Sequence, residues 1–156
     1  MSTAPADPSF HDDLIYGLFL RCADPDRGIW RSALVLDIDH IVEWVCAADG
    51  TARFRVAAAT LVFHDAGNLR IALDCARTGH GKTLNALSIA RIVSHPAAPD
   101  AASGDPPRRH YRIDLNLPAG GKIAFDASGY TLTLRSPPRL RDDQRLPPSE
   151  RPPLET

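Results

Sequence analysis

Residues 53–74, RFRVAAATLVFHDAGNLRIALD, set the class of this chain. Leu69, Ile71 and Leu73 alternate with Arg70, Ala72 and Asp74, and a period of two belongs to a half-buried strand. The stretch from Val56 to Phe63 is apolar on both of its faces. Between the arms stands Asp65-Ala66-Gly67-Asn68, built from residue types that tolerate positive φ. The pattern predicts a β-hairpin whose first arm is a central strand covered on both sides.

The same alternation recurs along the chain. Residues 14–22 (LIYGLFLRC) have strand composition, with a glycine that suits a bulge. Residues 24–28 (DPDRG) read as a turn, after which Trp30, Ser32, Leu34, Leu36 and Ile38 share one face of a second strand. Residues 40–46 (HIVEWVC) fit either a strand or a single helical turn, and Asp49-Gly50 turns the chain. Residues 84–94 suit a strand through Leu87, Ile89 and Val93, and a helix less well. The clearest meander is 111–135. Tyr111, Ile113, Leu115 and Leu117 face inward, then Ile123, Phe125 and Ala127, then Tyr130, Leu132 and Leu134. Pro118-Ala119-Gly120-Gly121 and Ser128-Gly129 read as the two turns. No amphipathic helix offers itself to cover that apolar face, so a second sheet must. The expected fold is a single all-β domain, a β-sandwich or partly open barrel of seven to nine mostly antiparallel strands.

Punctuation sets the boundaries. Residues 1–9 read as a flexible arm, 10–135 as the β domain, and 95–109 (HPAAPDAASGDPPRR) as a long mobile loop within it. The tail, 136–156, holds three Pro-Pro pairs among arginines and acids. It is either a strap laid on the domain through Leu140, Leu146 and Leu154, or free in solvent.

Charge and composition narrow the partners. The 156 residues carry a net charge of −1, so no global basic field attracts nucleic acid or an anionic membrane. No apolar run approaches the ~20 residues of a membrane helix, and the N-terminus has no signal-peptide pattern. Cys22, Cys46 and Cys75 are odd in number and far apart, which fits reduced thiols in a cytoplasmic protein. Arginines at 108, 109, 112, 135, 139, 141 and 145 read as a solvated surface, or else as a contact for an acidic protein. Few aromatics accompany them for base stacking.

Candidate chemistry is sparse. Ala76-Arg77-Thr78-Gly79-His80-Gly81-Lys82-Thr83 ends like a phosphate-binding loop, but alanine stands at the first glycine and no helix convincingly follows. Ser103 and Ser128 lack the frame of a hydrolase nucleophile. Histidine–acid neighbours remain: His11-Asp12-Asp13, Asp37-Ile38-Asp39-His40 and His64-Asp65. Asp37 and Asp39 share a strand face, and His11, His64 and Asp65 complete the candidate binding residues. They would form a ligand or divalent-metal site, or a metal-assisted hydrolase, if their strands are neighbours. No single segment supplies three ligands, so no cofactor is expected. Trp30 and Trp44 are expected in core or edge packing.

Four segments carry a resemblance: FHDDLIYG (10–17), ATLVFHDAGNLRI (59–71), YRIDLNLPAGGKIAFDASGYTLTLR (111–135) and QRLPPSER (144–151). Together they resemble a group of uncharacterised bacterial β-rich proteins. Their layout is similar to that of small immunity proteins of polymorphic toxin systems. The resemblance implies a non-enzymatic protein that binds a protein partner. It offers no catalytic residues. Apart from the resemblance, self-association through an exposed edge strand is a further option.

Overall fold

The alternating segments become nine strands in a computed structural model, which describes residues 8–74, 86–98 and 107–154. They are β1 (Leu14–Arg21), β2 (Ala33–Cys46), β3 (Ala52–His64), β4 (Gly67–Ala72), β5 (Leu87–Pro96), β6 (Arg109–Leu117), β7 (Lys122–Ala127), β8 (Gly129–Leu134) and β9 (Arg139–Arg141). All belong to one antiparallel sheet in the order β4-β7-β6-β5-β1-β2-β3-β8, which does not close into a barrel. β9 lies against β3 at Phe54–Val56, along the same edge as β8. There is no α-helix among the described residues. The two uncertain segments are strands: residues 40–46 end β2, and β5 begins at Leu87.

The expected hairpin at 53–74 is not a hairpin. β3 sits between β2 and β8, while β4 lies at the opposite end of the sheet, against β7. Ser128-Gly129 is likewise no tight turn, because β7 pairs with β4 and β6 whereas β8 pairs with β3. Both sites are corners. β3–β4 and β7–β8 are two continuous ribbons that run side by side, with His64 opposite Gly129 and Gly67 opposite Asp126. They bend together where Asp65 takes φ 54°. There Ser128 Oγ donates to Asp65 Oδ2 at 2.6 Å, and the Ser128 N–H donates to the His64 carbonyl at 2.9 Å. A residue tolerant of positive φ serves a corner as well as a turn, so the local sequence reads the same for both.

The bend lays the two halves of the sheet over one core. Leu34, Leu36 and Ile38 of β2 and Leu61 and Phe63 of β3 meet Tyr111 and Ile113 of β6 and Ile123 and Phe125 of β7. Phe63 is the junction, with its ring edge-on to Phe125 at 4.6 Å and to Tyr111 at 5.1 Å between centroids. The expected central strand holds, since Val56, Ala57, Ala58, Ala59 and Leu61 are fully buried. Several expectations of burial fail. Trp30 is 75% exposed, and Ile71, Leu117 and Leu134 are 46%, 51% and 42% exposed. Trp30 belongs to a hairpin that projects beyond the core, which explains its exposure. Trp44 is half exposed but packs edge-on to Phe54 at 4.9 Å between centroids.

One seam is narrow. β1 and β5 pair only at Leu14–Ser88 and Ile15–Leu87, supplemented by two bonds between Asp12, Asp13 and Ile89. Elsewhere the structure corrects boundaries. His95 and Pro96 finish β5 and Arg109 opens β6, so they are not part of the expected loop. The phosphate-loop-like residues 76–83 and the arm 1–7 lie outside the described residues. The described tail, 136–154, is a strap rather than a free end. Leu146 is buried with Ile41, Phe54, Val56 and Ala58 in a second cluster on the outer face, while Leu140 is 39% exposed.

Candidate functional site

The histidine–acid candidates go to four places. His11 is exposed beside β5, its Nδ1 2.8 Å from the Ala90 carbonyl and its ring stacked with Trp44. Asp37 and Asp39 lie on the outer face of β2 beneath the strap. His64 shares that face, but it lies four residues along β3 from Thr60, the cross-strand neighbour of Asp37, or roughly 13 Å away. It meets Thr131 Oγ1 at 2.8 Å. Asp65 faces the corner, where Arg31 and Ser128 donate to it. The structure does not bring His11, Asp37 and His64 together. Among the described residues no group of three or more His, Cys, Asp or Glu could hold a metal ion.

A fourth pair is formed by residues not singled out as a site. Asp13 and His40 are buried, with Asp13 Oδ2 and His40 Nδ1 2.6 Å apart. Asp13 Oδ1 accepts the Ile41 N–H at 2.8 Å, at the bulge between Ile41 and Glu43. Burial raises the Asp13 carboxyl above its ordinary range, and the bonds from His40 and Ile41 oppose this. A carboxylate can orient a catalytic imidazole in this way. Here Phe10 packs on the imidazole at 5.7 Å and seals it into the core. The pair therefore locks the segment before β1 onto β2.

Beneath the strap the charges are denser. The Arg151 guanidinium lies 3.4 Å from the centre of the Tyr16 ring and pairs with Asp37 and Asp39. Arg135 also pairs with Asp37 and donates to the Pro152 carbonyl at 2.6 Å. The Leu146 N–H donates to Asp39 Oδ2 at 3.0 Å. Burial pushes the Asp39 carboxyl up to about 6, with Asp37 and Asp13 adding to it and Leu146 and Arg151 pulling it down. The sequence held one signal for this cage. Two acids two positions apart inside the apolar run 33–41 share a buried face and demand cations. It gave no means of picking Arg151 or Tyr16 to meet them.

The β1–β2 hairpin presents a different surface. It is closed by the bridge between Asp24 and Ile29, with Gly28 at φ 76° in the turn. Phe19, Leu20, Ile29 and Trp30 are 46%, 59%, 38% and 75% exposed around its tip. Arg21, Arg27 and Arg31 are exposed beside them. A shallow groove of about 420 Å³ lies on β5, β6 and β7. Its Arg91 and Arg112 are already bound to Asp114. Those arginines hold the Asp114 carboxyl below its ordinary range. Compared with models of protein families, with curated proteins and with solved structures, the chain finds no match.

Proposed function

We propose that this chain is a non-enzymatic binding domain whose target is another protein, engaged through the tip of the β1–β2 hairpin. The observation that carries this is the 75% exposure of Trp30, on a hairpin that also leaves Phe19, Leu20 and Ile29 exposed. Tryptophan offers on the order of 200 Å² of contact, so covering this one side chain is worth roughly 3–4 kcal/mol. Buried aromatic anchors ringed by arginine are the usual centres of protein interfaces. Arg21 favours an acidic surface on the partner, while Arg27 and Arg31 are already paired with Asp24 and Asp65. The folded-over sheet, read as an open sandwich, serves as the scaffold that holds the hairpin.

The sequence resemblance favours an immunity-like role, in which the target is a toxin. The exposed free thiols of Cys22 and Cys46 favour a reducing, cytoplasmic setting. The test compares the wild-type chain with Trp30→Ser and Phe19→Ser as bait in cells of its source. A stoichiometric protein held by the wild type and lost from both variants, with melting temperatures unchanged, supports the reading. Equal retention by all three overturns the hairpin as the contact.

A further inference from the structure

We propose that the Tyr16–Asp37–Asp39 cage is a recognition site for a proline-rich, arginine-bearing segment of a partner protein, and that the strap fills it in the free protein as a pseudo-ligand. The cage has the chemistry of guanidinium recognition. An aromatic face stacks on one side of the Arg151 plane and two carboxylates receive its edge. Lysine cannot reproduce this, because an ammonium has neither the plane nor the fork.

The charges show why the site needs an occupant. Asp37 and Asp39 together carry two negative charges, and Arg135 supplies one positive charge from the end of the sheet. Removing Arg151 leaves a buried carboxylate without a cation, which is costly. Beside the cage, Ile41, Phe54, Val56 and Ala58 form an apolar pocket that Leu146 fills. An occupant therefore carries an apolar side chain five positions before its arginine. Prolines at 147, 148, 152 and 153 stiffen the strap on either side of a 3₁₀ turn at Pro148–Glu150, so it is laid down with little loss of conformational freedom.

The strap is also separable. The main core takes nothing from the strap, whose one buried side chain, Leu146, belongs to the smaller cluster. Its backbone pairing to the sheet is the three-residue β9. Beyond the cage contacts, Arg53 pairs with Asp142 and Ser136 Oγ accepts the Ala58 N–H, while Glu150 pairs with Arg139 and Arg141 within the strap itself. Detachment breaks these surface ties and opens the cage without removing a side chain from the main core, and the incoming arginine takes the place of Arg151 on Asp37 and Asp39. This site is on the outer face of β1–β3 and does not depend on the hairpin reading.

The first test is native-state hydrogen exchange on the full-length wild-type chain. The Leu146 amide should exchange at least 100-fold faster than those of Leu36 and Ile113. Equal rates would mean that the strap opens only by global unfolding, and would overturn the proposal. The second test titrates a labelled synthetic peptide of residues 144–154, QRLPPSERPPL, into full-length wild type and Arg151→Ala. Arg151→Ala should bind at least tenfold more tightly, and Tyr16→Ala on that background should abolish binding. A folded Arg151→Ala that takes no peptide overturns the idea, as does binding that survives Arg→Ala in the peptide. If Arg151→Ala does not fold, Arg151→Lys is titrated instead, with the same outcomes. A dimer of the wild type, seen by light scattering, whose strap amides are protected by the second copy would assign the occupant to this chain and overturn the partner.

Discussion

At the scale of single residues, two buried carboxylates govern the response to change. Asp13 accepts from both His40 and the Ile41 N–H. Asp13→Ala leaves two buried donors unmet, and a loss of about 2–4 kcal/mol is expected in urea denaturation. Asp39 sets an unusual pH dependence. Its folded pKa of about 6 stands above the ordinary 3.8, so the folded chain holds the proton more tightly. Its contribution is complete below about pH 4 and is lost as pH rises through 6. Asp13 acts in the same direction. Unfolding free energy is expected to be about 1–2 kcal/mol higher at pH 5 than at pH 8, with Asp39→Asn removing most of the difference. Below pH 4 the sign reverses, because Asp114 and Asp126 have lowered pKa values and lose their ion pairs. Side-chain alternation made Tyr111, Ile113, Ile123 and Phe125 legible as core. It could not pair Asp37 with Arg135 or Arg151, which stand 98 and 114 positions away. Partners so distant are chosen by the path of the sheet, and sequence neighbours such as His64 and Asp65 face opposite ways on a strand.

At the scale of elements, the corners matter most. Asp65→Ala removes the acceptor of Ser128 and Arg31 and places alanine at φ 54°. A loss of about 2 kcal/mol is expected, with Asp65→Asn losing roughly half as much because asparagine tolerates that conformation. Comparative urea curves check the order. The strands themselves are legible in the sequence: β4, β6, β7 and β8 lie where period-two patterning puts them, and β3 where an apolar run on both faces does. Their pairing was not. Asp65-Ala66-Gly67-Asn68 and Ser128-Gly129 have hairpin chemistry, yet each passes its strand from one half of the sheet to the other. What decides between turn and corner is the neighbour across the ribbon, here His64 opposite Gly129. The glycine in β1 was read correctly as a bulge between Ile15 and Gly17. A Cβ on Gly17 would stand 2.6 Å from the Phe19 ring, so a larger residue there must displace that ring.

At the scale of the whole molecule, the core is one body reached from two sides. Phe63→Ala removes the ring where β3, β6 and β7 meet, and a loss of about 3–5 kcal/mol is expected from the cavity it leaves. Antiparallel pairing between distant segments also predicts slow folding, on the order of milliseconds to seconds in stopped-flow. The bent ribbons carry a consequence for synthesis. The corner joins residues 63 positions apart in the chain, Asp65 and Ser128. While the nascent chain leaves the ribosome, the outer edge of β3 stays unpaired until β8 has followed it out. Residues 14–64 and 67–127 each pair strand to strand as contiguous stretches, yet each keeps an apolar face bare until the other is made.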